Sequence, residues 1–265
     1  MRIDWAALPE AGKTEIASRV GGVPEVIPAS RGDHAEIAAT VTGPTGKVFV
    51  KAASSEFGVR SLRYELLASR AVSLSCSPAV EWDFDSDGWL VIGFEHCEGM
   101  HADLSPGSRD LDLLELAVKE LSGTLAPDLP LFSPAARLGF EHPALTGETL
   151  IHTDLNPANL IVTHNGLRIV DWAFTTKAAP WVELAMLVQW LISSGHTPEQ
   201  AETWLARFPT WQEINPDVLD EFASKNAAKW SNKAGQTTVR WMHDLALWTG
   251  QWSVYRRKKA LKRRR

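Results

Sequence analysis

Residues 150–172 read LIHTDLNPANLIVTHNGLRIVDW. Four polar residues, His152, Asp154, Asn156 and Asn159, interrupt apolar residues on both sides. Burying such groups costs free energy unless each finds a partner, so the cluster calls for a shared purpose. LIVT (160–163), HNG (164–166) and LRIVDW (167–172) read as strand, turn and strand. A two-residue Asn165–Gly166 loop would set Asn159 opposite Trp172. A three-residue loop, His164 to Gly166 with the glycine left-handed, would set it opposite Asp171. Either brings Asn159 and Asp171 to the open end of the hairpin, where Asp154 enters from a loop five residues earlier. Two carboxylates and an amide carbonyl are hard oxygen donors that suit Mg²⁺, which keeps waters and takes phosphates as further ligands. Pro157 stiffens the loop, and His152 can hydrogen-bond to its backbone. Singly, Asn156, Asn159 and Asp171 read as turn caps and a strand end; as one pattern they read as a site.

Upstream the chain is strand-rich over residues 22–100. HAEIAATV (34–41) and KVFVK (47–51) are apolar and β-branched, with TGPTG (42–46) as turn chemistry between them. Alternation puts Phe49 and Lys51 on one face and Val48 and Val50 on the other. VRSLRYELLASRAV (59–72) carries Val59, Leu62 and Leu66 at helical spacing, with Glu65 at the edge of the stripe. PAVEWDF and GWLVIGFEHCEG read as another strand pair, turning at Asp85–Gly88. Residues 110–255 are helical apart from the hairpin. LDLLELAVKELSGTLA (111–126) has helical periodicity, and WVELAMLVQWLISSG (181–195) reads as a buried helix ending at a glycine. TPEQAETWLARF (197–208) offers Thr197, Pro198 and Gln200 as a capped helix start. NPDVLDEFASKNAAKW and TTVRWMHDLALWTGQW follow as helices. Eight of the 12 Trp residues fall at 181–252 and are expected mainly as core.

Composition narrows the function classes. At 265 residues, 45% hydrophobic and 22% charged, the chain can build one large domain or two lobes. The longest greasy run, Trp181–Ile192, is shorter than the ~20 apolar residues of a membrane span and contains Glu183 and Gln189. MRIDWAALPE lacks the basic and apolar regions of a secretory signal. Cys76 and Cys97, the only cysteines, have no metal-ligand spacing, so reduced thiols and a cytoplasmic location are expected. The last ten residues, RRKKALKRRR, hold eight of the 27 Lys and Arg, so the rest carries 19 against 32 acids, a balance of −13. This basic tail (256–265) reads as a solvated, frayed end. Contact with nucleic acid, a membrane surface or the acidic body is the sharper alternative.

His152-Thr-Asp154-Leu-Asn-Pro-Ala-Asn159 resembles the catalytic loop H-x-D-x-x-x-x-N of the protein-kinase superfamily. Asp171, 12 residues after Asn159, stands in the place of the D-F-G aspartate. Its D-W form resembles the aminoglycoside phosphotransferase and choline kinase branch. The resemblance spans about residues 20–195 and implies an α+β, two-lobed, protein-kinase-like fold. Residues 1–97 would form a small antiparallel-sheet N-lobe that binds nucleotide. Residues 98–255 would form a larger, mainly helical C-lobe.

The same resemblance implies roles. VFVKAA is similar to the strand carrying the nucleotide lysine, so Lys51 would hold phosphates. RYELLAS resembles the segment supplying its partner, Glu65. GFEHCEG looks like the hinge, where backbone groups of Glu95 to Cys97 would meet the base. SRGDHAE stands at the phosphate-covering loop with Gly32 alone of three glycines. Asp154 would accept the hydroxyl proton, and Asn159 and Asp171 would hold Mg²⁺. His152 would be scaffold, and Glu183 would brace the loop. The implied reaction is transfer of the γ-phosphoryl group of ATP or GTP to a hydroxyl of a small molecule. A peptide or protein hydroxyl is the alternative acceptor. Asn156, where serine/threonine kinases usually carry Lys, and the nine residues between Asp171 and Trp181, too few for an activation loop, favour the small molecule. The acidic body could attract a cationic acceptor. Asp217, Asp220, Glu221, Asp244 and the Trp cluster are candidates by location.

Overall fold

The structure, a computed structural model, describes residues 3–29, 35–72 and 74–265. The first elements are α1 (Glu10–Arg19), β1 (Glu25–Pro28), β2 (Ile37–Gly43), β3 (Gly46–Ala53), α2 (Glu56–Ala71), β4 (Val80–Ser86), β5 (Trp89–Glu95) and β6 (Gly99–His101). Then come α3 (Asp110–Ser122), α4 (Pro134–Leu138), β7 (Thr149–Ile151), β8 (Leu160–Thr163), β9 (Gly166–Ile169) and β10 (Thr176–Ala178). Five helices end the chain: α5 (Trp181–Ser193), α6 (Pro198–Leu205), α7 (Pro209–Glu213), α8 (Pro216–Ala234) and α9 (Arg240–Arg263). The architecture is α+β. The chain divides into two compact units, Met1–His101 with Leu160–Ala173, and Ala102–Asn159 with Phe174–Arg265.

The first unit is built on a five-stranded antiparallel sheet in the order β1-β2-β3-β5-β4. The β2–β3 hairpin closes at Gly43 and Gly46, as the Pro-Gly turn chemistry predicts. Both sheet faces are covered. Leu8, Ile16 and Val20, around α1, pack on Val41, Val50 and Val91. On the other face Leu62 and Leu66 of α2 pack on Ala53, Leu90, Ile92 and Phe94. Ser55 caps α2 by accepting the Gly58 N–H at 3.1 Å. Helix α1 and strand β1 escape a pattern reading because each buries too little: α1 buries only Gly12 and Ile16, and β1 is an exposed edge.

The β8–β9 hairpin corrects the expected register. Thr163 pairs with Gly166 and Leu160 with Ile169, so the loop is His164–Asn165. Both expected loops, Asn165–Gly166 and His164–Gly166, are replaced. The Thr163 hydroxyl explains the difference: it accepts the Asn165 N–H at 3.1 Å and donates to the Gly166 carbonyl at 2.9 Å. Gly166 leaves the turn at φ 109°, a region open to glycine. β8 also pairs with β6, and the Ile169 N–H donates to the Cys76 carbonyl at 2.7 Å.

In the second unit α5 is the centre, buried almost all round including Glu183 and Gln189. The expected cap of α6 forms as a full capping box between Thr197 and Gln200. α8 and α9 pack along each other. Trp181, Trp204, Trp211, Trp230 and Trp252 are buried, in keeping with a core role, while Trp241 is exposed. The basic tail is not a frayed end. α9 continues through it, and Arg256, 3% exposed, donates to Glu202 at 3.2 and 3.3 Å, to Asp220 at 2.6 Å and to the Pro216 carbonyl at 2.7 Å. Lys259 reaches Glu202 at 2.8 Å, and Arg263 pairs with Asp220. The tail is thus held by acids of the protein itself. Among the described residues, no helix is long and apolar enough to cross a membrane.

Candidate active site

Lys51 lies on β3, the central strand, paired to Ala38 and Ile92. It shares the sheet face covered by α2. Because Leu62 and Leu66 press that helix onto the sheet, Glu65 between them is carried inside, to 2% exposure. Its carboxylate takes the Lys51 ammonium at 2.7 and 2.9 Å. Asp171, just beyond β9, takes the same ammonium at 3.1 Å. The sequence places Glu65 and Asp171 14 and 120 residues from Lys51. The Phe94 ring adds a cation–π contact at 5.8 Å.

Two carboxylates here share one cation. Burial, and then the charge of Asp171, push the Glu65 carboxyl up to about 7 against the pull of Lys51. Burial opposes the Lys51 charge, but Asp171 and Glu65 outweigh it and hold its pKa above the ordinary lysine value. Asp171 has a left-handed backbone, φ 67°. Such residues cost about 1–3 kcal/mol and persist where the surroundings enforce them.

The catalytic-loop motif lies in the second unit and is held from three sides. Glu183 of α5, 1% exposed, accepts the backbone N–H groups of His152 and Thr153. Burial is the main reason its carboxyl is pushed up to about 7; the two N–H groups pull the other way. Arg137 of α4 donates to the Thr153 hydroxyl at 2.8 Å and to its carbonyl at 3.2 Å. The Thr153 hydroxyl donates to the Phe174 carbonyl at 3.1 Å. These bonds enforce φ 67° at Thr153, an outlier for a β-branched residue. Inside the loop, Nδ1 of buried His152 accepts the Asp154 N–H at 3.3 Å. The Asn156 side chain accepts the Ala158 N–H at 2.8 Å, so this amide builds the turn.

Asp154 and Asn159 meet directly. Asn159 Nδ2 donates to the Asp154 carbonyl at 3.0 Å and to its carboxylate at 3.1 Å. Both amide hydrogens therefore face Asp154, and Oδ1 is the atom left for a cation. The Asn159 amide oxygen in the second unit and the Asp171 carboxylate in the first are each hard donors of the type Mg²⁺ takes.

The remaining predicted residues are less prepared. The Glu95 N–H donates to the Ala79 carbonyl at 2.8 Å, and the Glu95 side chain pairs with Arg168 at 2.9 Å. Its backbone donor is therefore engaged in the sheet. Cys97 is half-buried; burial, then Glu95, push its thiol up to about 11, so it is no thiolate nucleophile at neutral pH. Gly32 lies outside the described residues. Sequence reasoning missed Arg137: SPAARLGF (133–140) carries no motif, and only folding brings it to Thr153.

Over residues 100–216 the chain matches the family model described as the phosphotransferase enzyme family. Solved structures agree over nearly the whole length. Aminoglycoside phosphotransferase APH(4)-Ia, at 15% identity and TM-score 0.60, is matched over 93% of this chain and 98% of that one. A thermostable mutant of the same enzyme, in ternary complex with ADP and hygromycin B, gives 14% identity and TM-score 0.59 over 92% and 97%. Choline kinase LicA from Streptococcus pneumoniae gives 15% and 0.57 over 96% and 98%. Among curated proteins none matches in sequence. Residues 100–216 thus resemble the phosphotransferase enzyme family, and the fold is that of aminoglycoside phosphotransferase and choline kinase structures.

Proposed function

We propose that this chain is a small-molecule kinase transferring the γ-phosphoryl group of ATP or GTP to a hydroxyl. The observation that carries the reading is Lys51 gripped by Glu65 and Asp171 from distant parts of the chain. One ammonium between two carboxylates is aimed and kept charged, which suits a residue that neutralises phosphate oxygens. The nucleotide complex of the aminoglycoside phosphotransferase neighbour supports a nucleotide donor.

Phosphoryl transfer depends on position and charge neutralisation more than on covalent chemistry by the protein. In this reading Lys51 holds the donor's phosphates and Glu65 orients Lys51. Asp154 accepts the proton of the acceptor hydroxyl and directs its oxygen at the phosphorus. Asn159 fixes the Asp154 carboxylate and, with Asp171, supplies oxygens for Mg²⁺. The bound metal would screen the negative charge of the phosphates. Glu183, Arg137 and His152 hold the loop backbone so that Asp154 needs no rearrangement. The hinge backbone past Glu95 receives the base.

Release of ADP or GDP, measured with Mg²⁺ across hydroxylated metabolites and a peptide library, tests the proposal. Turnover with a metabolite, abolished in Asp154→Ala, is the expected result. Turnover confined to peptides would move the acceptor class, and absence of nucleotide binding would overturn the reading.

A further inference from the structure

Helix α8 carries Lys225, Lys229 and Lys233 at four-residue spacing, on one face. Like charges so placed repel unless something neutralises them. Lys225 has Glu221 at 2.7 Å. Lys229 and Lys233 have no carboxylate partner among the described residues. Lys229 instead donates to the Arg137 carbonyl at 3.2 Å, and its ammonium lies 5.3 Å from the Trp230 ring. Lys233 lies 4.9 Å from the same ring. Trp241, exposed, meets Trp230 edge-on at 5.9 Å. Arg137 is the residue that grips Thr153, next to Asp154. A cationic and aromatic patch therefore adjoins the catalytic loop within one unit.

The four acids that stand as candidates by location each have a basic neighbour. Asp217 and Asp220 pair with Arg263, Asp220 also with Arg256, Glu221 with Lys225, and Asp244 lies 4.0 Å from Arg240. These four acids therefore each have a basic partner within the protein, whereas Lys229 and Lys233 have no acidic one among the described residues. We infer that Lys229 and Lys233 form a subsite for an anionic group, carboxylate or phosphate, carried by the hydroxylated acceptor. Charge-assisted hydrogen bonds to such a group would relieve the repulsion along α8. In keeping with an unfilled counter-charge, burial, and then Arg137 and Lys233, push Lys229 down to about 7. Asp154 and Glu183 act on Arg137 from the catalytic loop and α5, and Glu221 faces Lys225. The inference rests on the kinase reading for the acceptor's hydroxyl.

The test compares wild type with the double variant Lys229→Gln/Lys233→Gln. Glutamine is chosen because it removes the charge while keeping a polar side chain. Gluconate and glucose 6-phosphate are the anionic probes, sorbitol the neutral one and glucosamine the cationic one. Nucleoside diphosphate release and direct calorimetric binding of each probe are both read. The expected result is preference for an anionic probe, with the double variant losing about tenfold or more in affinity for it. Nucleotide affinity would stay unchanged. Gluconate against glucose 6-phosphate separates carboxylate from phosphate. A preference for sorbitol or glucosamine, no calorimetric binding of either anion, or an unchanged anion preference in the variant overturns the inference. Turnover of neutral or cationic probes alone would leave the kinase reading standing. Anion binding lost in the variant, without nucleotide binding by wild type, would support the subsite and reject the kinase.

Discussion

The Glu183 carboxylate, buried in α5, accepts the Thr153 backbone N–H at 3.0 and 3.1 Å, and Thr153 is left-handed at φ 67°. A helix residue thus fixes the backbone immediately before Asp154. Glu183→Ala strands the N–H groups of His152 and Thr153 in the interior, at about 1–3 kcal/mol each. Urea unfolding is expected to show a loss of roughly 2–6 kcal/mol. A change under about 0.5 kcal/mol, typical of surface positions, contradicts that role.

The same carboxylate sets a pH dependence. Its folded pKa, about 7, lies above the ordinary 4.5, so the folded protein keeps a proton that the unfolded chain releases. Stability contributed by that proton is present below about 4.5 and is lost as pH rises to about 7. Glu65, pushed the same way, adds to the slope. At about 1.4 kcal/mol per pKa unit, Glu183 alone contributes at most about 3.5 kcal/mol across the window. Denaturant midpoints between pH 4.5 and 7 should fall less in Glu183→Gln than in wild type; parallel curves refute the assignment.

Asp154→Ala should bind nucleotide normally and lose turnover by about 10²–10⁴-fold, the range of a general base. Calorimetry and product release on the same preparation separate the two. Near-wild-type turnover eliminates Asp154 as the base.

At Asp171 two variants part charge from backbone. Both Asp171→Asn and Asp171→Ala should lose Mg²⁺-dependent nucleotide binding, read by titration with and without metal. Asn tolerates the left-handed region and Ala does not, so Ala should cost a further ~1 kcal/mol in stability. Identical Mg²⁺-dependent titrations in wild type and either variant would remove Asp171 as a ligand.

Replacing Lys51 with Met leaves Glu65 and Asp171 facing each other. Breaking such a buried pair costs about 3–5 kcal/mol. Glu65, already pushed up to about 7, then loses the cation that holds it down, so the variant should regain stability as pH falls toward 5, where a proton replaces the missing cation. A loss independent of pH means that packing, not charge, holds this corner.

The tail offers a test of a structural kind. Deleting residues 256–265 removes Arg256 from Glu202 and Asp220. An uncompensated buried carboxylate remains, and a loss of about 3–5 kcal/mol is expected in urea. An unchanged midpoint would restore the frayed-end reading.

The sequence alone determined what is local. The β2–β3 turn, the stripe Val59, Leu62 and Leu66, the capping box at Thr197 and the loop motif at 152–159 are legible because each rests on residues within a turn or two of one another. The same holds for the kinase-like reading, which needs only order and spacing. The hairpin register escaped it because a single Thr163 hydroxyl chose between loops of nearly equal propensity. Tertiary structure decided what distance along the chain conceals. Glu65 is an edge residue of a helical stripe until packing buries it against Lys51. Arg256 belongs to a charge run until Glu202 and Asp220 meet it. Arg137 has no motif, yet it holds Thr153. Each pairing joins groups that burial would penalise singly; the partner that removes the penalty is brought in by the fold, from a part of the chain that carries no mark of it.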